Sequence, residues 1–411
     1  MKIKRAHLIV LASLLALLLI RTSNAAKLTP VEELGKKLFF DNNLSTPPGQ
    51  SCAACHDPKA GWTGPLENIG GVYEGALKGR FGNKKPPSSA YAGDSPILSL
   101  NKEGEFFGGM FWDGRATGAD LKDPLAEQAG GPFLNPLEQN NLDKKAVVLK
   151  VKNSEYASVF EQVWKVKPGD WDKNVDKIYE LVSRSIAAYE RSEEVNPFDS
   201  KFDFFWKNAL AKNLRVEAID QTNWKNYMGL GLDEAEIKGL MLFNTKAKCA
   251  KCHVLSPGPN GRPPVFTDYT YDNIGIPRNP ANPFYAMEAK FNPQGKDWVD
   301  HGLGGYLRSV PRYAKYADEN IGKHKVPTLR NVDLRTNPSF VKVYGHNGAL
   351  RSLKEVVHFY NGRDTGNFPP PEVKTNLNTE ELGNLGLTGE EENAVVAFLK
   401  TLSDHFVPTR K

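Results

Sequence analysis

The chain has 411 residues, 25% of them charged, and a formal net charge of +5. That length allows two domains with sizeable cores. Residues 1–25 hold four basic side chains (Lys2, Lys4, Arg5, Arg21) and no acid, so without them +5 becomes +1, and a body this close to neutral excludes nucleic acid as a partner.

In chain order, Lys2, Lys4 and Arg5 form a basic start, residues 8–20 are apolar, and Ser23-Asn24-Ala25 offers small residues for cleavage. Residues 1–25 are therefore expected to be a signal peptide. The apolar run is short for a bilayer, which favours cleavage over a retained anchor and predicts a soluble periplasmic protein with no permanent membrane anchor. Thr29-Pro30-Val31-Glu32 is a capping box with proline at the first helical position, and Leu34, Leu38 and Phe39 give the following helix an apolar stripe. A polar loop at 42–50 then leads to Cys52-Ala53-Ala54-Cys55-His56. Residues 58–107, punctuated by Gly70-Gly71, Gly82 and Pro86-Pro87, are expected to be loop with short turns. Residues 106–115 are dense in aromatics. Helical spacing follows at 143–165 and at 175–191, the latter with Ile178, Leu181, Val182, Ile186 and Tyr189 on one face.

Asn196-Pro197 closes a first domain at 26–197 and leaves 198–411 as the second. Asp233-Glu234-Ala235-Glu236 opens a helix through Ile237, Leu240, Met241 and Phe243, just before Cys249-Ala250-Lys251-Cys252-His253. Capped helix, short linker and C-x-x-C-H thus occur twice, as an internal duplication would produce. Residues 255–325 form a second long loop region. Leu353, Val356 and Val357 mark a buried helix face that Tyr360 continues, with His358 on the opposite side. Thr388-Gly389-Glu390-Glu391 caps the last helix, whose apolar residues are Val395, Val396, Phe398, Leu399 and Leu402.

C-x-x-C-H is the attachment signature of c-type haem: each cysteine adds across a vinyl group and the histidine ligates the iron. A zinc site, a redox dithiol or disulfides could also use such cysteines. Zinc would have to join pairs about 200 residues apart, and a dithiol needs no histidine after its second cysteine. The two runs contain all four cysteines. Two covalently bound haems are therefore expected, in a mainly α protein of two cytochrome c-like domains with long loops and little sheet.

With those runs, Glu33-Leu34-Gly35-Lys36-Lys37-Leu38-Phe39-Phe40-Asp41, Phe111-Trp112-Asp113-Gly114-Arg115-Ala116, Ala187-Ala188-Tyr189-Glu190, Val326-Pro327-Thr328-Leu329-Arg330-Asn331-Val332, His346-Asn347-Gly348 and Leu353-Lys354-Glu355-Val356-Val357 occur in one order. This order resembles the bacterial di-haem cytochrome c peroxidases and their MauG relatives. The resemblance implies a peroxide-reacting haem in the N-terminal domain, an electron-transfer haem in the C-terminal domain, and Trp112 between them. It places Gln128, Pro132 and Glu138 at the peroxide face, with Glu138 moving the proton that O–O cleavage requires. It also implies a calcium ion between the domains, for which Asn83, Thr336 and Pro338 are candidates, although Lys85 falls closest to the expected asparagine and six extra residues separate Leu329-Arg330-Asn331-Val332 from His346.

At the second haem the resemblance sets Tyr360 as axial ligand, the MauG-like choice, where other members use methionine. Tyrosinate favours ferric and higher iron states. A core tyrosine is the alternative, with His301, His324, His346, His358 and Met287 as competing ligands. Relatives that cap the first haem do so with a histidine from the loop after it, but no histidine lies between His56 and His253. Met110 beside that loop is expected to pack in the core, so the first haem is expected to be five-coordinate or to hold only water. MauG passes electrons through a surface tryptophan at the position of Ala247, so another aromatic such as Trp206, Trp224 or Trp298 would be needed here. The expected function is reduction of hydrogen peroxide with electrons from a small redox protein (cytochrome or cupredoxin) or from a protein substrate. A di-haem electron carrier and a haem-based sensor are the alternatives.

Overall fold

The capped apolar stretches become helices, and the helices make two separate cores. The computed structural model describes residues 27–67, 70–366 and 368–407, so the expected signal peptide lies outside the described residues. In the N-terminal half, α1 (Pro30–Phe40), α2 (Pro124–Leu134), α3 (Lys144–Lys152), α4 (Ala157–Trp164), the single turn α5 (Asp170–Lys173) and α6 (Val175–Arg191) surround a core built on Leu34, Leu38, Phe39, Phe133, Val148, Ile186 and Tyr189. In the C-terminal half, α7 (Lys201–Ala211), α8 (Glu234–Asn244), α9 (Gly302–Ser309), α10 (Leu353–Gly362) and α11 (Gly389–Lys400) follow. Its core is Phe202, Trp206, Leu240, Phe243, Phe266, Val395 and Phe398. None of the described helices is long and apolar enough to cross a membrane.

The capping boxes at Thr29, Asp233 and Thr388 all form. A fourth escaped the sequence reading: Ser200 and Asp203 cap α7, whose Asp203 is fully buried. The helical stretch at 143–165 divides at Asn153-Ser154. There the Asn153 N–H returns to the Leu149 and Val151 carbonyls, and the Ser154 hydroxyl donates to Val151 O at 2.7 Å. The loop at 255–325 contains α9, which its glycines disguised.

Sheet is confined to two small antiparallel pairs, β1 (Ser99–Leu100) with β2 (Phe106–Phe107), and β3 (Tyr271–Asp272) with β4 (His324–Lys325). They clasp the halves together. Phe107 bridges Thr270, the Gly108 N–H donates to Tyr269 O, the Tyr271 hydroxyl donates to Gly108 O, and the Lys325 N–H donates to Trp112 O. The aromatic stretch at 106–115 is thus bound along its length to the C-terminal half.

Each half closes on one helix crossing at a glycine. A Cβ on Gly35 of α1 would collide with the Ser185 carbonyl and the Tyr189 Cβ of α6; a Cβ on Gly239 of α8 would collide with the Ala394 carbonyl and the Phe398 Cβ of α11. In an unobstructed helix Gly→Ala stabilises by about 0.5–1 kcal/mol. Here the sign should reverse. Gly35→Ala and Gly239→Ala are each expected to lower stability by roughly 1–3 kcal/mol through overpacking, read as a lower thermal unfolding midpoint. A raised midpoint would show that the crossings tolerate a side chain.

Candidate functional site

Both C-x-x-C-H runs follow the capped helix of their half and begin in a single 3₁₀ turn, Cys52–Ala54 and Cys249–Lys251. The turn bonds the histidine N–H back to the first cysteine carbonyl, His56 to Cys52 at 3.0 Å and His253 to Cys249 at 2.9 Å. Each imidazole is then fixed from behind: His56 Nδ1 lies 3.2 Å from Trp62 O and His253 Nδ1 lies 2.9 Å from Phe266 O. A carbonyl only accepts, so Nδ1 donates and Nε2 keeps its lone pair for a metal. Burial pushes His56 down to about 4 and lowers His253, which favours the neutral ring that could ligate a metal.

None of the four cysteines is in a disulfide. Burial raises all four thiols, Cys55 and Cys249 up to about 12. The two pairs line different cavities, so they do not share one tetrahedral zinc site. Each pair lines a cavity together with its histidine, so the residues fit two haems.

The first cavity brings together His56, Cys52, Cys55, Trp112, Gln128, Pro132 and Glu138. Gln128 and Pro132 are one turn apart on α2, and Pro132 has no N–H to give the Gln128 carbonyl. Glu138 lies in the turn after α2, its carbonyl accepting the Ala76 N–H at 2.7 Å. Burial raises the Glu138 carboxyl, partly offset by the Arg115 guanidinium and Asn135. No second histidine and no methionine lines this cavity among the described residues. The amines there are otherwise engaged, Lys85 Nζ with Thr63 Oγ1 at 2.8 Å and Lys84 Nζ with Asp113 and Asp300 at 3.3 and 3.2 Å. Met110 packs instead with Ala116, Leu125, Ala126 and Ala187. The sequence reading missed one member. Glu190, at the end of α6, lines the same cavity, and burial pushes it up to about 8. The signal available was its place after Tyr189 on the buried face of an amphipathic helix.

The second cavity gathers Cys249, Cys252, His253 and Tyr360. Burial, with the two cysteines beside it, raises the Tyr360 hydroxyl, so only a strong cation would deprotonate it. Among the competing ligands, His301 and His358 are exposed, and His358 is bound outward to Glu392 at 2.9 Å. Met287 does not line the cavity. His324 and His346 do, but they stack on each other at 3.6 Å, with His346 edge-on to Trp112.

Trp112 lines both cavities, and its indole N–H donates to Lys85 O at 2.7 Å. Of the calcium candidates, Thr336 and Pro338 are exposed, and the Asn83 carbonyl accepts from the Asn282 side chain. Between the halves, Lys342 Nζ, buried, donates to the carbonyls of Ala60, Asn331 and Leu334 at 2.9–3.0 Å, and burial with Lys85 nearby lowers its pKa.

Comparison with known proteins agrees with this arrangement. The protein-family model described as di-haem cytochrome c peroxidase matches residues 29–211. The methylamine utilization protein MauG of Paracoccus denitrificans is 32% identical over 410 residues, covering 95% of this chain and 94% of its own. The cytochrome-c peroxidase IdrP1 of Denitromonas iodatirespirans is 28% identical, covering 90% of this chain and 80% of its own. Among solved structures, the diheme peroxidase BthA of Burkholderia thailandensis superposes with a TM-score of 0.72 at 28% identity, covering 92% of this chain and 87% of that one. Two haem-sized cavities with their histidines already turned, and this likeness along nearly the whole chain, lead to one assignment: the protein is a peroxidase-type oxidoreductase belonging to the di-haem cytochrome c peroxidase and MauG family.

Proposed function

We propose that the protein is a periplasmic peroxidase of the MauG-like branch that reduces hydrogen peroxide at the first haem, both haems being held by thioethers to Cys52 and Cys55 and to Cys249 and Cys252. The observation that carries this reading is the first cavity: Glu138 and Gln128 share it with His56, and among the described residues no second histidine or methionine lines it. When bound there, the haem supplies the two electrons that cleave the O–O bond. Glu138 takes a proton from the inner peroxide oxygen and returns it to the outer one, which leaves as water; Gln128 orients the peroxide, and Pro132 adds bulk without a competing N–H. Trp112, lining both cavities, would carry electrons between them, and Tyr360 with His253 would hold the iron of the C-terminal haem.

The electrons come from a small redox protein or from side chains of a protein substrate. Ala247 is buried and leaves no surface aromatic at that point. Trp206 is buried as well, which leaves Trp224 and Trp298, both partly exposed, as exits.

Glu138→Gln should retain both haems and slow the reaction with peroxide by about 10²–10⁴-fold. Because Glu138 must be ionised to accept the proton and burial raises its pKa, the wild-type rate should fall as pH drops through a value above the ordinary carboxylate 4.5, and this limb should vanish in the variant. An unchanged stopped-flow rate would remove Glu138 from the mechanism. Electron paramagnetic resonance of the fully ferric protein should show one high-spin haem, and turnover should need no reductive activation. Two low-spin haems would contradict the open first site. Tyr360→Phe should alter the ferric spectrum of the second haem alone, whereas persistence of its wild-type signal would send the ligand assignment to His324 or His346.

A further inference from the structure

Beside Trp112, at one edge of the second cavity, stands a cluster that the haem chemistry does not use. Asp300, His324 and His346 each offer a ligand atom, and all three atoms lie within 4.8 Å of one another. The cluster is built from separate parts of the C-terminal half. Asp300 caps α9 through the Gly302 N–H at 3.0 Å, His324 sits on β4, and His346 follows the turn at Gly345. Gly302 has a positive φ of 54°, and a Cβ there would meet the Lys323 carbonyl and the His324 ring, so the glycine lets α9 bring Asp300 against β4.

The polar atoms facing one another are left without partners. His324 Nε2, His346 Nε2 and Asp300 Oδ2 are buried and make no hydrogen bond among the described residues. His324 Nδ1 lies 3.0 Å from Gly322 O and must donate to it, which leaves Nε2 as a lone pair or as the site of a second proton. That nitrogen is 3.2 Å from Asp300 Oδ2 without hydrogen-bond alignment, and a lone pair facing a carboxylate at that distance is repulsive. A cation has to lie between them. A proton on His324 would serve this one pair and leave His346 Nε2 unpaired. Nor does an anion such as a haem carboxylate suit the cluster, because Glu372 Oε2 lies 3.8 Å from His346 Nε2 and its side chain is only 4% exposed. Lys84 balances only the far oxygen of Asp300, at 3.2 Å, and shares its charge with Asp113.

We infer that Asp300, His324 and His346, with Glu372 in reach as a fourth ligand, bind one divalent first-row transition ion. Two imidazoles and carboxylates are the donor set of zinc and its neighbours, whereas calcium and magnesium prefer oxygen alone. A zinc-like ion needs ligands at about 2.0–2.1 Å, hence roughly 3.3–3.5 Å from one another, which side-chain adjustment within this cluster supplies. The Gly322 carbonyl behind His324 is the outer partner that such a ligand histidine needs. Since the His346 and Trp112 rings are 6.5 Å apart, the ion's charge would act directly on the indole linking the two cavities and make loss of an electron from it more costly. The inference rests on ligand geometry and does not depend on which haem meets peroxide.

Elemental analysis of the holoprotein, grown with added zinc and desalted, tests it. The expected content is two irons and one further divalent ion per chain. Asp300→Asn and His346→Gln should each lower that ion at least tenfold while the iron and the haem spectrum stay. Because a variant can fail to load haem, wild-type crystals measured at the zinc edge give an independent reading: an anomalous peak between Asp300, His324 and His346 is expected. Two irons and no stoichiometric third metal after equilibration with micromolar zinc would overturn the proposal, as would a peak elsewhere or a third metal that both variants retain.

Discussion

The close crossing of two helices at a glycine is the constraint on which each half depends. Where α1 meets α6 at Gly35, and α8 meets α11 at Gly239, backbone approaches backbone with no side chain between. This contact fixes where the capped helix ends, and the end of that helix fixes where the C-x-x-C-H turn begins. The short linkers that follow, 41–51 and 245–248, leave the turn little freedom. A crossing held apart by one methyl group would carry the cysteines and the histidine with it, so helix packing in this protein is also alignment of its haem ligands.

A second set of forces joins the halves, and it is largely electrostatic. Arg330 is fully buried, paired with Asp203 of α7 at 2.8 Å, bonded to the Pro264 carbonyl, and surrounded by Tyr91, Phe198, Phe202 and Phe266. A buried ion pair adds little net stability, but losing one partner strands the other, typically at a cost of about 3–5 kcal/mol. Such a pair acts chiefly on geometry. It sets α7 against Val326-Pro327-Thr328-Leu329-Arg330-Asn331-Val332, the same stretch whose Asn331 carbonyl accepts from Lys342. From there the Lys342 amine reaches Ala60, four residues past His56. Buried hydrogen bonds thus span from the first C-x-x-C-H turn to the other half.

The two cavities differ in what burial does to their acids. In the first, Glu138 and Glu190 are both raised, so a carboxyl close to working pH can exchange a proton there. In the second, burial raises the Tyr360 phenol out of reach of ordinary bases. The two halves therefore set a pair of raised carboxyls in one cavity and a raised phenol in the other, with Trp112 lining both.

Local pattern made much of this legible. The C-x-x-C-H runs, the three capping boxes, the scarcity of sheet and the helix face that carries Tyr360 follow from short motifs or helical spacing, because in each the interacting residues are near neighbours in the chain, whereas Gln128, Pro132 and Glu138 were marked only by the family resemblance. What escaped was decided at long range. The cap and buried acid of α7 make sense only once Arg330 arrives from 127 residues away. Helix α9 is rich in glycine because β4 packs against its start, a reason invisible before folding. The carbonyls around Lys342 come from two distant segments, and Asp300, His324 and His346 meet only when α9, β4 and the turn at Gly345 are brought together. The sequence by itself determined the two C-x-x-C-H runs, since that motif is written within five consecutive positions. Only the tertiary structure decided where positive charge is buried, because that depends on which distant oxygens and nitrogens share a space closed to water.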